Sequence, residues 1–344
     1  MHPTLTRRNA LALAAGTALL GRPAWAAAGW KPADTVEYVV PSGAGAALDM
    51  AARRLGHILE EQKSARTVVV NNKSGANGLL ALHVLQQNEG NANYFVSLSA
   101  SYLTGYATGV LPVSYQDFTP LAVLMDEFVA VAVRADSPIR SGRDLAERLR
   151  RDPQALSIGI ASALGNHIHI GIARPLKLGG VEVGKLTVAP FKSSAESLNA
   201  LLGGHIDIVS CSTPNVVAQL AAGRIRVIAV DAPKRLGGAL AQVPTWKEQG
   251  FDVVGLSSQG ILAPKGIGAD AQAYWTQALR KATQAKEWQE FLATNQLRPH
   301  FLAGDDATAL LDAQATAFTH ALHDLGLVDA GAVGLVRGGR ASKA

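Results

Sequence analysis

Short runs of β-branched residues recur along this chain, each followed by a loop of small residues and then by apolar residues at helical spacing. That rhythm limits the fold more than any other feature. Val36 to Val40 is the first such run and ends at Pro41 and a glycine-bearing loop. From Leu48, apolar residues return at Ala51, Ala52, Leu55, Ile58 and Leu59, the spacing of one buried helix face. Strand-like runs over 67–70 and 94–98, with a helical stretch over 78–85, continue the pattern. Strand, loop and helix in this order predict a parallel α/β architecture.

A second unit begins near Val129. Strands are expected over 129–133, 156–160, 186–188, 206–209 and 225–230. Ser141 and Asp144 form a capping signature ahead of Leu145 and Leu149. Further helices are expected from about His167, over 195–202 and over 216–222. The chain then returns through a β-rich segment over 253–262 and ends in helical stretches near 271–285, 287–294 and 308–325. Late helices after a self-contained middle unit predict a discontinuous first lobe, 27–128 with 253–330, and a second lobe, 129–252. Two crossings, near Asp126 and Phe251, would join them, and such a clamshell closes by hinge motion.

Ligands of open α/β sheets bind beyond the carboxyl ends of the strands, so the loops after strands hold the candidates. The first contains Ser42, Gly43, Ala44, Gly45 and Ala46 and leads into a helix. Small residues let backbone approach a ligand, and a helix N-terminus favours an anion. Leu48 stands where a Rossmann fingerprint needs its third glycine, and no Walker lysine is present; a plain strand–helix connection is the alternative. The loop over 71–78 reads equally well as a turn with a helix cap. Ser162, Ala163, Gly165, Asn166 and His167 form a third loop in the other lobe. Two helix N-termini facing across a cleft would hold a dicarboxylate or tricarboxylate, largely through backbone N–H groups. Ser99 and Ser101, after the third strand, join the candidates, as does Lys192, which either pairs with a carboxylate or is a solvated surface lysine.

Catalytic readings are weaker. His167 and His169 lie two apart, which turns them to different helix faces, and no Cys, Asp or third His stands near them, so no metal site is expected. Cys211 is the single cysteine; it lacks a nucleophile signature, and a lone cysteine ending a strand is usually buried. No Gly-x-Ser-x-Gly elbow and no His-Glu-x-x-His occurs. No catalytic residue and no cofactor is expected.

The first 26 residues read as a cleaved export signal. Arg7 and Arg8 precede an apolar run from Ala10 to Leu20, and small residues follow around Ala26-Ala27. The adjacent arginines point to the twin-arginine route, with the general secretory route as alternative. Cleavage after Ala26 would leave 318 residues and remove three arginines and no acid, lowering the formal charge from +5 to +2. That balance and the lack of a basic stripe with aromatics argue against nucleic acid as a partner. Residues 331–344 read as a flexible tail.

Several segments together resemble the receptor family of tripartite tricarboxylate transporters, the Bug-type solute-binding proteins. Pro41 to Asp49 resembles the family's PAxxGGGxD loop, followed by Ala52-Arg53, and Val70 to Gly78 resembles VNKPGAGG. YQDFTP over Tyr115 to Pro120, LLGGHID over Leu201 to Asp207 and AGRIRVIAV over Ala222 to Val230 are similar to family segments. So are VPTWKEQG over Val243 to Gly250 and LAPKG over Leu262 to Gly266. The resemblance implies an α/β, two-lobed type II periplasmic binding protein clamshell. It also implies capture of a small carboxylate between the lobes, delivery to cognate membrane permease subunits, a periplasmic location and a monomer. A ligand-presenting protein for a membrane sensor and a secreted hydrolase are the alternatives. Departures from the family fall in the expected cleft. Ala46 and Ala47 replace glycines, His167-Ile168-His169 replaces Gln-Asp-His, and Cys211 replaces an acid. Ser257-Ser258-Gln259-Gly260 replaces a segment with tryptophan and arginine. Gln259 therefore implies a ligand with fewer charges than citrate.

Overall fold

The computed structural model describes residues 29–33, 35–255, 257–329 and 331. The expected export signal lies outside the described residues, as does all of the expected tail except residue 331. Both sheets belong to the compact unit that begins at Pro32.

The strands are β1 (Thr35–Val40), β2 (Thr67–Asn72), β3 (Tyr94–Leu98), β4 (Thr119–Glu127), β5 (Val129–Arg134), β6 (Ser157–Ala161), β7 (Thr187–Phe191), β8 (Ile208–Ser212), β9 (Ile225–Val230), β10 (Ser257–Ala263) and β11 (Arg298–Ala303). The helices are α1 (Ala47–Glu61), α2 (Leu79–Gln87), α3 (Ala100–Ala107), α4 (Gly142–Arg151), α5 (His167–Leu178), α6 (Ser194–Leu202), α7 (Thr213–Ala221), α8 (Ala269–Thr283), α9 (Lys286–Thr294) and α10 (Gly304–Asp324).

Two sheets result. One has six strands in the order β11-β4-β10-β3-β1-β2, the other five in the order β7-β6-β8-β5-β9. In the first, β1 runs parallel to β2 and β3, while β10 is antiparallel to β3 and β4. In the second, β6 is parallel to β7 and β8, while β5 is antiparallel to β8 and β9. The parallel strand–helix units were legible from their periodicity. β4, β11 and α3 were not expected. Pro120 and the acidic end of β4, Pro299 and the charged start of β11, and the Ser-Tyr-Gly composition of α3 hide their periods. The β-rich return starts at Ser257, not at residue 253, because 251–255 form no strand; the Val253 N–H instead donates to the Phe251 carbonyl at 2.7 Å.

Both faces of the second sheet are covered, and β5 shows how. Val129, Val131 and Val133 enter one apolar cluster with Leu145, Ile172 and Trp246. Ala130 and Ala132 enter the other with Leu201, Cys211 and Val216. Alternate strand residues face opposite sides, and each buried valine contributes about 1.5–3 kcal/mol. The first sheet packs α2, α3 and α10 against it through Leu82, Tyr102, Leu311 and Phe318.

The chain leaves the first sheet after Glu127 and returns to it at Ser257. Asp231 staples the two passages. Its carboxylate accepts from the Val129 N–H at 2.7 Å, its own N–H donates to the Val129 carbonyl at 3.0 Å, and its carbonyl accepts from the Gly255 N–H at 2.6 Å. Burial pushes its carboxyl up to about 7, against the pull of the Val129 N–H and with help from the charge of Glu127.

Candidate functional site

A cavity of about 470 Å³ lies where the carboxyl ends of strands from both sheets meet, the size range of small-molecule sites. The first sheet contributes Pro41, Ser42 and Ala46 after β1 and Ser99, Ser101 and Tyr102 after β3. From the second come Ser162, Asn166 and His167 after β6, Lys192 and Ser193 after β7, and Ser212 and Asn215 after β8. Glu127 and Gln259, on the two strands that neighbour the crossings, close the wall between them. Helices α1, α3, α5, α6 and α7 thus all begin at this cavity. Their first-turn N–H groups and dipoles give it a positive bias.

Local chemistry fixes the loop before α1. The Asp49 carboxylate accepts from the Gly45 N–H at 2.9 Å, from Arg53 Nε at 3.1 Å and from Asn72 Nδ2 at 2.9 Å. Asn72 Nδ2 also donates to the Ser42 carbonyl at 2.9 Å. Burial alone would raise the Asp49 carboxyl; the bonds from Arg53, Gly45 and Asn72 outweigh it and hold the group below the usual carboxylate range. Asp49 and Arg53, the acid and arginine of the family-like motif, therefore brace the loop. Gly43, Ala44 and Gly45, expected to touch ligand, are absent from the cavity wall, while Ser42 and Ala46 are on it. Ala46 caps α1 without a side-chain hydrogen bond, so the first turn keeps its donors.

The loop before α5 is held differently. The Ser162 N–H donates to the Phe191 carbonyl at 2.7 Å and the Ala163 N–H to the Ala161 carbonyl at 3.1 Å. The Gly165 N–H donates to His169 Nδ1 at 3.0 Å. These three amides are hydrogen-bonded within the protein. Ala163 and Gly165 also leave the wall; Gly165, at φ +80°, faces Thr108 and Leu322 instead. Ser162, Asn166 and His167 remain on the wall, where α5 begins. Asn166 caps α5 by accepting from the His169 N–H at 2.9 Å. Burial holds His169 down to about 4, a neutral ring that accepts through Nδ1.

Strain concentrates here. Among the described residues, Lys63, Ala76, Asn77, Ser162 and Gln296 are the non-glycine residues with positive φ, and Ala76, Asn77 and Ser162 line the cavity. Such conformations cost of order 1–3 kcal/mol each and persist where surrounding structure enforces them. Unpaired polarity concentrates here too. Seven of the twelve buried side-chain polar atoms without a partner among the described residues belong to the wall: Ser42 Oγ, Asn77 Oδ1, Tyr102 OH, Glu127 Oε1, both His167 nitrogens and Gln259 Oε1. Native interiors pair such groups, so this cluster is the candidate for contact with a polar ligand.

Sequence reading missed Glu127, Tyr102 and Asn215. The loop over 71–78, which joins a strand to a helix as the first loop does, places its residues 74–78 on the wall. Gly78 adopts φ +91°, and a Cβ there would lie 2.5 Å from Tyr102 Cε1 and 3.3 Å from Pro41 Cβ, so only glycine lets the loops meet. Cys211, which the resemblance puts in the expected cleft as a ligand-contact position, is in the core, one residue out of phase with Ser212. Burial first, then Glu127, pushes its thiol up to about 12, far from a reactive thiolate. Lys192 is exposed at the rim, and its side chain forms no ion pair among the described residues. Among the described residues no three His, Cys, Asp or Glu side chains group to hold a metal ion, and no helix is long and apolar enough to cross a membrane.

Comparison with known proteins gives a consistent picture. The profile of the tripartite tricarboxylate transporter family receptor matches residues 52–327. A UPF0065 protein from the gbd 5′ region of Cupriavidus necator is 27% identical over 308 residues, 87% of this chain and 91% of that protein. Among solved structures, the periplasmic binding protein BugD is 25% identical with a TM-score of 0.77, over 86% of this chain and 99% of BugD. Rpa4515 of R. palustris with adipate is 24% identical with a TM-score of 0.76, over 85% of this chain and 97% of Rpa4515. MatC of Rhodopseudomonas palustris with bound malate is 22% identical with a TM-score of 0.70, over 86% and 99%. The fold is that of the two-lobed periplasmic binding proteins.

Proposed function

The chain belongs to the tripartite tricarboxylate transporter receptor family, and from that premise we propose that it works in the periplasm, after export, as a monomer. It captures a small carboxylate and hands it to the membrane subunits of its transporter. The observation that carries this reading is the convergence of five helix N-termini, from both sheets, on one cavity of about 470 Å³. Helix N-termini bind carboxylates without side-chain cations, and the wall offers a single, rim-exposed lysine. Adipate bound to Rpa4515 and malate bound to MatC are cargo of matching class. In this reading 27–128 with 253–330 form one lobe and 129–252 the other. The lobes close over ligand held by Ser42, Ala46, Ser99, Ser101, Ser162, Asn166, His167, Lys192 and Gln259, with Tyr102 and Ser212 added to that set.

Calorimetric titration with mono-, di- and tricarboxylates, each beside its neutral amide, tests the proposal. Acids should bind at least tenfold more tightly than their amides, because each charge-assisted hydrogen bond contributes roughly 1.5–3 kcal/mol. Amides that bind as tightly as their acids would overturn the anion-site argument.

A further inference from the structure

We propose that the ligand carries a protonated nitrogen beside its carboxylate, and that Glu127 is the residue that selects for it. The inference rests on the carboxylate-capture reading and names the substrate class within it: amino carboxylates.

Glu127 is 2% exposed, ends β4 in register with Ser257 of β10, and lines the cavity. Its Oε1 has no hydrogen-bond partner among the described residues. A buried carboxylate is strongly unfavourable unless something pairs with it. His167 Nε2 stands 3.7 Å from Oε1, within ion-pair range when the ring is protonated but beyond hydrogen-bond distance, so Oε1 keeps room for a donor. Arg298, the nearest arginine along β4's other neighbour, is committed to Asp126 through Nε at 2.9 Å. The charge of Glu127 pushes up both the Cys211 thiol and the Asp231 carboxyl, so its protein neighbours add acids to its surroundings. Gln259, also on the wall, presents an unpaired acceptor, Oε1. The wall therefore asks for a donor at this point.

The opposite requirement stands elsewhere on the same wall. Lys192 at the end of β7 is the one lysine or arginine there, and the helix N-termini favour an anion. A cavity with one buried acid and one rim cation matches a ligand with one group of each sign. A dicarboxylate would have to keep its second anion clear of Glu127.

Calorimetry on the full-length protein with three matched pairs tests this: alanine against propionate, 4-aminobutyrate against butyrate, and 5-aminovalerate against valerate. At least one amino acid should bind about tenfold or more tightly than its deaminated parent, the range of one charge-assisted hydrogen bond. Glu127→Gln should shrink that ratio to about threefold or less, weakening the amino acid and sparing the parent. Parents that bind the unaltered protein as well as their amino acids would overturn the proposal, whether or not the variant folds. Equal weakening of both members of a pair in Glu127→Gln would also overturn it, since Glu127 would then be structural. Either result leaves carboxylate capture standing. Amides of the same acids binding as tightly as the acids would instead refute carboxylate capture. No binding by any probe at millimolar concentration would count against both.

Discussion

Asp231 makes the stability of this protein depend on pH in a direction opposite to that of an ordinary paired carboxylate. It is 2% exposed, and burial lifts its carboxyl from 3.8 to about 7 in the folded state. Between those values the folded chain holds a proton that the unfolded chain releases. The stabilisation is complete below about pH 4 and is lost as pH rises through 7, with a slope near 1.4 kcal/mol per unit. Over that window the loss is of order 4 kcal/mol. Asp231→Asn removes the proton from the balance and keeps an acceptor for the Val129 N–H, so its unfolding free energy lacks this slope. Any packing cost of the amide is independent of pH and shifts the whole curve. Urea unfolding followed by the buried Trp246, Trp275 and Trp288, at half-unit steps from pH 4 to 8, measures the difference. The gap between the unaltered protein and the variant should change by several kcal/mol across the range. A gap that stays constant would refute the reasoning. Glu127→Gln should shorten the sloping window, because the Glu127 charge helps to raise Asp231.

Other consequences are equally open to measurement. Gly78→Ala puts a methyl 2.5 Å from Tyr102 and a side chain at φ +91°; thermal unfolding should show a loss of about 1–3 kcal/mol, and titration a weaker ligand. Ser162→Gly releases a strained φ of 65°. It should raise stability by up to about 1 kcal/mol while lowering affinity through a looser wall; a loss of stability would contradict the strain argument. Small-angle scattering should show compaction when the tightest carboxylate saturates the protein, and an unchanged radius of gyration would refute hinge closure.

The legible parts of the fold were local ones. Val36 to Val40, the small-residue loop and the helix after it announce themselves within 25 residues, and the structure keeps all three. What stayed hidden depends on pairing between distant segments. Nothing near Glu127 says that β4 will lie beside β10 and turn this acid into the cavity; the register with Ser257 does that. Asp49 and Arg53 were visible as a motif, yet their bracing role needs Asn72 from the next strand. Gly165 looked like a ligand contact because glycine permits close approach, but its neighbour turned out to be α10. Cys211 and Ser212 differ by one strand position, and which of them faces the cavity is set by the layer that packs behind β8.

The central claim is that the two-lobed cavity holds a small carboxylate, and its cargo tests that most directly. The protein should be purified without denaturant from the periplasm of cells expressing the full-length chain, and the small molecules it releases on unfolding identified by mass spectrometry. One enriched species is expected, of a size to fill about 470 Å³ and bearing a carboxylate and a basic nitrogen. An enriched species with no carboxylate, such as a neutral sugar, would contradict that claim.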